Sequence, residues 1–159
     1  MITAFVAIGS NQGDARGHVL EAFDELAHLP DTYLTARSSL YRSAPVEAPG
    51  QPDYVNAVAA LDTELSAAQL FGALQDIEQR HGRERPYPNA PRTLDLDLLT
   101  YGDMVLASPM LTLPHPRMHQ RAFVLRPLLE LDARAEVPGR GRAADLLAAC
   151  ADQRVERLD

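Results

Sequence analysis

The sequence contains no lysine and no tryptophan, and it has a single cysteine, Cys150, among its 159 residues. The missing lysine excludes Schiff-base chemistry, a lysine general base and a Walker-type phosphate-binding loop. The lone cysteine excludes an internal disulfide and a thiolate zinc site. Because all 15 basic residues are arginines, an anionic substrate must be held by arginine, histidine, a metal ion or backbone amides.

Long hydrophobic runs and a surplus of positive charge are also missing. No apolar run approaches the roughly 20 residues of a membrane span, and the N-terminal MITAFVAIGSNQG lacks the positively charged start of a signal peptide. The net charge of −7 disfavours a nucleic-acid partner, whose binding needs a basic face. We therefore expect a cytoplasmic protein with no membrane and no nucleic-acid partner, folded as one domain over residues 1–159.

Hydrophobic periodicity predicts four strands and two helices in the first hundred residues. In chain order these are a strand at 2–9, a helix at 14–28, strands at 32–42 and 54–64, a helix at 66–82 and a strand at 91–99. The order is that of the split βαβ, or ferredoxin-like, α+β fold, with a mostly antiparallel sheet and helices on one face. Further helical pieces are predicted at 117–130 and 142–151, and the other face must be covered by loops and C-terminal segments or used for binding. Nine of the twelve prolines cluster in three predicted loops, which are candidates for long functional loops.

Two aspartates interrupt the last predicted strand, in the segment PRTLDLDLL. Asp95 and Asp97 share one face of that strand, whereas Leu94, Leu96 and Leu98 share the other. Two adjacent carboxylates repel each other unless a cation lies between them, and Mg²⁺ prefers carboxylate oxygens together with phosphate oxygens and water. The alternative is a solvated outer face of an edge strand, where charge discourages aggregation.

Basic side chains flank the two aspartates in the sequence. They are Arg83, Arg85 and Arg92 before the aspartates, and His115, Arg117, His119 and Arg121 after them. Arginine suits bidentate phosphate recognition, so the pattern indicates a site for a nucleoside triphosphate. Gln75 and Glu78, one helical turn apart, could contact the same ligand or be ordinary polar-face residues. The segment GSNQGD could cradle phosphate, or be an ordinary strand-to-helix turn with Asp14 near the cap.

A flat heterocycle is the second ligand that the residues suggest. Tyr54 and Asn56 alternate on one face of the third predicted strand, and Phe123 follows in a distant segment. Two aromatic side chains can sandwich a planar ring while an asparagine amide donates and accepts hydrogen bonds along its edge. Each of these residues, taken alone, is more often an ordinary core or surface residue.

The segments PRTLDLDLLTYGD, PHPRMHQRAFVLRPL, QPDYVNA and AIGSNQGD closely resemble those of the 6-hydroxymethyl-7,8-dihydropterin pyrophosphokinases of folate biosynthesis. The resemblance extends from residue 2 to about residue 130. It implies a ferredoxin-like core and the transfer of the β,γ-pyrophosphoryl unit of ATP to the hydroxymethyl group of 6-hydroxymethyl-7,8-dihydropterin, with release of AMP. It also implies two Mg²⁺ ions and a monomer.

The same resemblance implies roles for individual residues. Asp95 and Asp97 would hold both metal ions, and Tyr54 and Phe123 would bracket the pterin. The edge of the pterin would be read by Asn56 and by the backbone of Ser43, Ala44, Pro45 and Val46. The residues implied to contact ATP are Gln75, Glu78, Arg83, Arg92, His115 and Arg121, of which Arg83 and Arg92 would also act in catalysis.

Three other functions remain open. A ferredoxin-like ligand-binding or regulatory module would explain the fold, but not the paired carboxylates beside arginine-rich segments. A ferredoxin-like RNA-binding domain would need exposed aromatics and a basic surface, which the net charge of −7 disfavours. A kinase that transfers only the γ-phosphoryl group would release ADP rather than AMP.

Overall fold

The computed structural model describes residues 1–45, 50–82 and 93–158, and it is a mixed α/β structure. The elements in chain order are β1 Ile2–Ser10, α1 Ala15–Ala27, β2 Thr32–Arg37, β3 Tyr41–Ser43, β4 Tyr54–Thr63, α2 Ala67–Gly82, β5 Asp95–Tyr101, β6 Leu106–Ala107, β7 Thr112–Leu113, α3 Ala122–Leu131, β8 Glu136–Val137, β9 Gly141–Arg142, α4 Ala143–Ala148 and β10 Val155–Arg157. A 3-10 helix at Met118–Gln120 precedes α3. No helix in these described ranges is long and apolar enough to cross a membrane.

The central sheet has six strands, and each of its pairings is antiparallel. The strands β2, β4, β1 and β5 lie side by side in that order, so the two βαβ units interleave as the split βαβ pattern requires. Strand β3 continues along the same edge of β4 as β2, β10 adds beyond β3, and β5 forms the opposite edge. The predicted strand order and antiparallel sheet are therefore confirmed.

Two predicted elements differ from the observed ones. The strand predicted at 32–42 is divided into β2 and β3 at Ser38. The Ser38 N–H donates to the Val58 carbonyl at 2.9 Å, but the Val58 N–H donates to the Ser38 hydroxyl at 2.9 Å. The strand is interrupted because this side chain takes the place of a backbone acceptor. The helix predicted at 117–130 is a 3-10 turn followed by α3, because Arg121 between them has extended backbone angles. The last helix, predicted at 142–151, is shorter in the structure, where α4 covers Ala143–Ala148.

The two faces of the sheet are covered by different helices. Helices α1 and α2 pack on one face, as predicted, through Val19, Phe23, Leu26, Leu70, Leu74 and Ile77 against Val6, Ile8, Leu96 and Leu98. The C-terminal segments cover part of the other face with α3 and α4, through Leu125, Leu128 and Ala143 near Val58 and Leu99. Asp95 and Asp97 alternate with Leu96 and Leu98, so they project from the α3 face.

Glu130 of α3 joins that helix to β3. The Tyr41 hydroxyl donates to Glu130 Oε1 at 2.6 Å, and the Ser39 N–H and hydroxyl donate to Glu130 Oε2 at 3.0 and 3.1 Å. Burial and the hydrogen bond to Glu130 raise the pKa of Tyr41 to about 12. Burial acts to raise the pKa of Glu130, but the hydrogen bonds from Tyr41 and Ser39 outweigh it, and the net pKa is lowered.

We predict that Tyr41→Phe lowers the free energy of unfolding by about 1 kcal/mol at neutral pH, because a hydrogen bond to a carboxylate is lost. The folded-state pKa of Glu130 lies below its unfolded value, so this stabilisation is present above the unfolded pKa and disappears as the pH falls through the folded one. Urea denaturation should show a difference from wild type that shrinks as the pH is lowered from about 7 toward 3.

Tyr33→Phe is the matched control for this prediction, since Tyr33 lies on β2 with its side chain 62% exposed. It should leave the free energy of unfolding nearly unchanged. A Tyr41→Phe difference that stays constant over the whole pH range would contradict the assignment of the carboxylate as the partner.

Candidate active site

Three of the residues predicted to bind the two ligands, Asn56, Asp95 and Asp97, lie at one end of the sheet, where β4, β1 and β5 lie side by side. Asn56 of β4 pairs with Gly9 of β1, and Gly9 pairs in turn with Asp95 of β5. In the next row, Ala7 pairs with Asp97. Directly opposed residues of antiparallel strands project from the same face, so the asparagine and both aspartates share one surface.

Gly9 leaves a gap in this surface between Asn56 and Asp95. A Cβ atom at Gly9 would lie 3.4 Å from Asn56 Nδ2 and 3.8 Å from Tyr54 Cδ1. Gly9 is not among the glycines with positive φ, and these distances are ordinary van der Waals contacts, so a side chain at this position would occupy the space beside Asn56 and Tyr54. Glycine in a strand often marks the close approach of a ligand, and the gap is where one would fit.

The amide of Asn56 is held in one orientation by Ser43. Both residues are buried, and the Ser43 hydroxyl donates to Asn56 Oδ1 at 2.5 Å. With its oxygen engaged, the amide presents Nδ2 to the gap over Gly9. Ala44 and Pro45 follow β3 directly, whereas Val46 lies outside the described residues.

Tyr54 stands beside the same gap and close to the first aspartate. Burial and, to a smaller extent, the negative charge of Asp95 raise the pKa of Tyr54, so its phenol is neutral at physiological pH. The phenol of Tyr54 is therefore close enough to Asp95 for the charge of that carboxylate to act on it.

Side chains from the GSNQGD segment hold the neighbouring strand ends. The Ser10 hydroxyl donates to the Thr93 carbonyl at 2.6 Å, and Asn11 Nδ2 donates to the Pro52 carbonyl at 3.2 Å. Asp14 caps α1 through Oδ1, which accepts the N–H of residue 17 at 3.1 Å. The structure thus favours the strand-to-helix turn, with Ser10 and Asn11 tying β1 to the segments that enter β5 and β4.

His115 approaches the second aspartate. Its Nε2 lies 3.9 Å from Asp97 Oδ1, while its Nδ1 accepts the Arg117 N–H at 3.2 Å. Burial, and then the charges of Arg121 and Arg117, lower the pKa of His115 against the opposing effect of Asp97. The neutral ring therefore carries its proton on Nε2, and that N–H faces the aspartate side of the site.

Glu78 has a structural partner at the edge of the sheet. Its Oε2 accepts the Leu96 N–H at 2.8 Å, which fixes the backbone between the two aspartates. Strand β5 lies at the edge of the sheet. The Glu78 carboxylate therefore accepts a backbone N–H that would otherwise be available to a further strand. Gln75, one turn earlier on α2, has an exposed side chain.

The remaining predicted residues divide into described and undescribed ones. Phe123 is half-buried at the start of α3, and the Arg121 guanidinium lies 5.5 Å from its ring centroid. Arg83 and Arg92 lie outside the described residues. The described part therefore brings Asn56, Tyr54 and the aspartate pair together around Gly9, with the Arg121 and His115 group on the Asp97 side.

The aspartate pair fits a magnesium ion by its chemistry. Asp95 and Asp97 project from one face, and the Asp97 side chain is 43% exposed, so solvent and ligand oxygens can reach it. Mg²⁺ in proteins is usually bound by one or two carboxylates together with substrate phosphates and water. Two carboxylates beside an open gap are a donor set of this kind.

Sequence comparisons identify related proteins over almost the whole chain. A sequence model of the family described as 7,8-dihydro-6-hydroxymethylpterin-pyrophosphokinase matches residues 5–133. The chain is 46% identical over 154 residues to a 2-amino-4-hydroxy-6-hydroxymethyldihydropteridine pyrophosphokinase of Pseudomonas aeruginosa, covering 97% of this chain and 95% of that protein. It is 40% identical over 159 residues to the protein of the same name from Haemophilus influenzae, covering 100% and 99% respectively.

Structural comparison gives the same fold. An HPPK-DHPS protein, solved in complex with substrates, superposes with a TM-score of 0.70 at 12% identity. The match covers 95% of this chain but 44% of the solved one, so this chain spans less than half of that protein's length. At this identity the likeness concerns the fold alone, and it confirms the α+β architecture predicted from the sequence.

Proposed function

The chain belongs to the 7,8-dihydro-6-hydroxymethylpterin-pyrophosphokinase family, and on that premise we propose that ATP is its pyrophosphoryl donor and that Asp95 and Asp97 hold the Mg²⁺ it requires. The reaction itself, pyrophosphoryl transfer to hydroxymethyldihydropterin in folate biosynthesis, follows from membership of the family. The proposal adds ATP as the pyrophosphoryl donor, Mg²⁺ as the metal, and the residues of this chain that bind them.

The observation that carries the proposal is the row Asn56–Gly9–Asp95 across three strands. At one end of the row stands an oriented amide, which can read the edge of a heterocycle. At the other end stands a carboxylate whose neighbour, Asp97, lies two residues along the same strand. A pterin over Gly9 would therefore bring its substituent towards the aspartate pair.

The pterin half of the site is built from residues around the gap. We assign the edge of the ring to the Asn56 amide and to the backbone of Ser43, Ala44, Pro45 and Val46. We assign its two faces to the rings of Tyr54 and Phe123. Of these residues, Asn56 and Tyr54 lie beside Gly9, and Ser43 holds the Asn56 amide, which supports their part of the assignment.

The nucleotide half is assigned to residues on the other side of Gly9. His115 offers a neutral Nε2–H next to Asp97, and Arg121 is close enough to lower the His115 pKa. Both are donors suited to phosphate oxygens. The other ATP contacts that we carry forward are Gln75, Glu78, Arg83 and Arg92. In the structure the Glu78 carboxylate also accepts a hydrogen bond from the β5 backbone.

The transfer needs no covalent enzyme intermediate. The pterin hydroxyl oxygen forms a bond to the β-phosphorus of ATP, the bond from that phosphorus to the α,β-bridging oxygen breaks, and AMP leaves while the hydroxyl proton is released. When bound, Mg²⁺ would neutralise the charge of the polyphosphate; we propose two such ions. The protein's own contribution is to hold the pterin hydroxyl and the β-phosphorus in line. It also places hydrogen-bond donors next to the phosphate oxygens on which negative charge develops.

Three further expectations from the sequence stay predictions. They are that residues 1–159 form one pyrophosphokinase domain, that the protein is a monomer, and that it is cytoplasmic.

We predict that Asp97→Asn lowers kcat at least about a hundredfold, because loss of one metal-binding carboxylate removes several kcal/mol of charge stabilisation in the transition state. The amide keeps the size of the side chain, so the melting temperature should change little. Turnover with ATP and 6-hydroxymethyl-7,8-dihydropterin over a range of Mg²⁺ concentrations is the measurement.

Asp103→Asn is the control for this prediction, since Asp103 is an exposed carboxylate in the turn after β5. It should leave kcat unchanged. Near-normal turnover of Asp97→Asn would remove the aspartate pair from the mechanism.

We further predict that Ser43→Ala raises KM for the pterin about tenfold and leaves KM for ATP nearly unchanged. The variant leaves Asn56 Oδ1 buried without its donor, so the amide loses the orientation in which Nδ2 faces the gap. Ser43→Thr keeps a hydroxyl and should restore most of the pterin affinity. Equal effects on both KM values, or no rescue by threonine, would show that Ser43 supports the fold rather than the pterin site.

A further inference from the structure

A second cluster of possible ligands lies between α1 and α2, on the opposite face of the sheet from the aspartate pair. His18, Glu21 and Glu25 occupy positions i, i+3 and i+7 of α1, so they share one side of that helix. His81 belongs to the last turn of α2 and faces them. These residues have no part in the proposed transfer reaction.

The donor atoms of this cluster converge. His18, Glu21 and His81 each offer one potential ligand atom, and these three atoms lie within 4.8 Å of one another. His81 Nδ1 is 4.0 Å from Glu21 Oε2, and the rings of His18 and His81 meet edge to face with their centroids 5.9 Å apart. A separation of 4.0 Å is too long for a hydrogen bond. It is close to the roughly 3.4 Å between two donors that share a tetrahedral ion at about 2.1 Å.

Two features of the histidines point to a ligand. His18 Nδ1 is buried, and among the described residues it has no hydrogen-bond partner, which is rare for a buried polar atom. The His81 side chain is 10% exposed, and its Nε2 contacts Glu25 Oε1. If Nε2 carries the proton and donates it to Glu25, the lone pair of Nδ1 faces Glu21. A carboxylate that fixes the tautomer of a histidine in this way is typical of metal-binding histidines.

We propose that His18, Glu21 and His81 form a binding site for a transition-metal ion of the Zn²⁺ class, with Glu25 orienting His81. Two imidazoles and one carboxylate suit Zn²⁺, Co²⁺ or Ni²⁺, whereas Mg²⁺ prefers oxygen donors alone. Three protein ligands leave one position of a tetrahedral ion to water. The Glu21 side chain is 65% exposed, so its carboxylate is free to make the small movement that closes the site.

An ion at this site would link α1 to the end of α2. His81 follows Glu78 by one helical turn, and Glu78 holds the backbone of β5 between the aspartates. The expected consequence is a more stable pair of helices behind the active-site strand. The proposal does not depend on the proposed function, because its residues lie on the opposite face of the sheet from the aspartate pair.

The test is isothermal titration calorimetry of the metal-stripped full chain with Zn²⁺ in excess Mg²⁺, together with the absorption spectrum of the Co²⁺ form. We expect one tightly bound Zn²⁺ per chain, visible-region Co²⁺ bands of a four- or five-coordinate ion, and a raised melting temperature. Glu21→Gln and His18→Gln should each weaken Zn²⁺ binding at least about tenfold, and Glu25→Gln should weaken it about 10- to 100-fold.

Two controls make the outcome decisive. His28→Gln removes an exposed histidine from the end of α1 and should leave binding unchanged. Asp97→Asn should also leave it unchanged, which separates this site from the proposed magnesium site. Because Glu21 is exposed, its variant should fold even if His18→Gln does not. Zn²⁺ binding that Glu21→Gln leaves intact, or that His28→Gln or Asp97→Asn abolishes, would overturn the proposal.

Discussion

The register of β4, β1 and β5 at Gly9 is the constraint on which the rest of the structure depends. It aligns Asn56 with Asp95 across a gap that has no side chain. Side chains alternate along a strand, so a slip of one residue would turn the carboxylates into the core and the leucines into the site. Leu96 and Leu98 prevent that slip, because they are buried against α1 and α2. The hydrophobic core thus decides which way the carboxylates face, and a rigid strand holds them more accurately than a loop would.

The sheet also separates two kinds of chemistry. On the α3 face, oxygen donors stand beside an open gap, and His115 is kept neutral by burial and nearby arginines. On the α1 and α2 face, imidazoles and carboxylates meet between two helices. Hard and intermediate cations prefer different donors, so the two faces would select different metals without competing. Glu78 connects them, since it belongs to α2 and binds the backbone of β5 between the two aspartates. In this account, stabilising α2 supports the strand that carries the aspartate pair.

The sequence predicted those features that have a local cause. Alternation along β5 is enough to place both aspartates on one face, and helical periodicity is enough to find α1 and α2. It did not predict the break between β2 and β3, because that break depends on Ser38 meeting Val58 across the sheet. The roles of Gly9 and of the Ser43 hydroxyl require the register between strands, which no short segment contains. His18 and His81 are 63 positions apart in the chain, and only the packing of α1 on α2 brings them together.

The central claim is that this chain transfers the pyrophosphoryl group of ATP in one step at the site around Gly9. Its most direct test is a product analysis of the protein incubated with Mg²⁺, ATP and 6-hydroxymethyl-7,8-dihydropterin, with the nucleotides and pterins separated and quantified. The account predicts AMP and the pterin diphosphate in equal amounts. Formation of ADP with a pterin monophosphate would contradict it, because attack would then occur at the γ-phosphorus. Folded protein that binds ATP but forms neither product would contradict it as well.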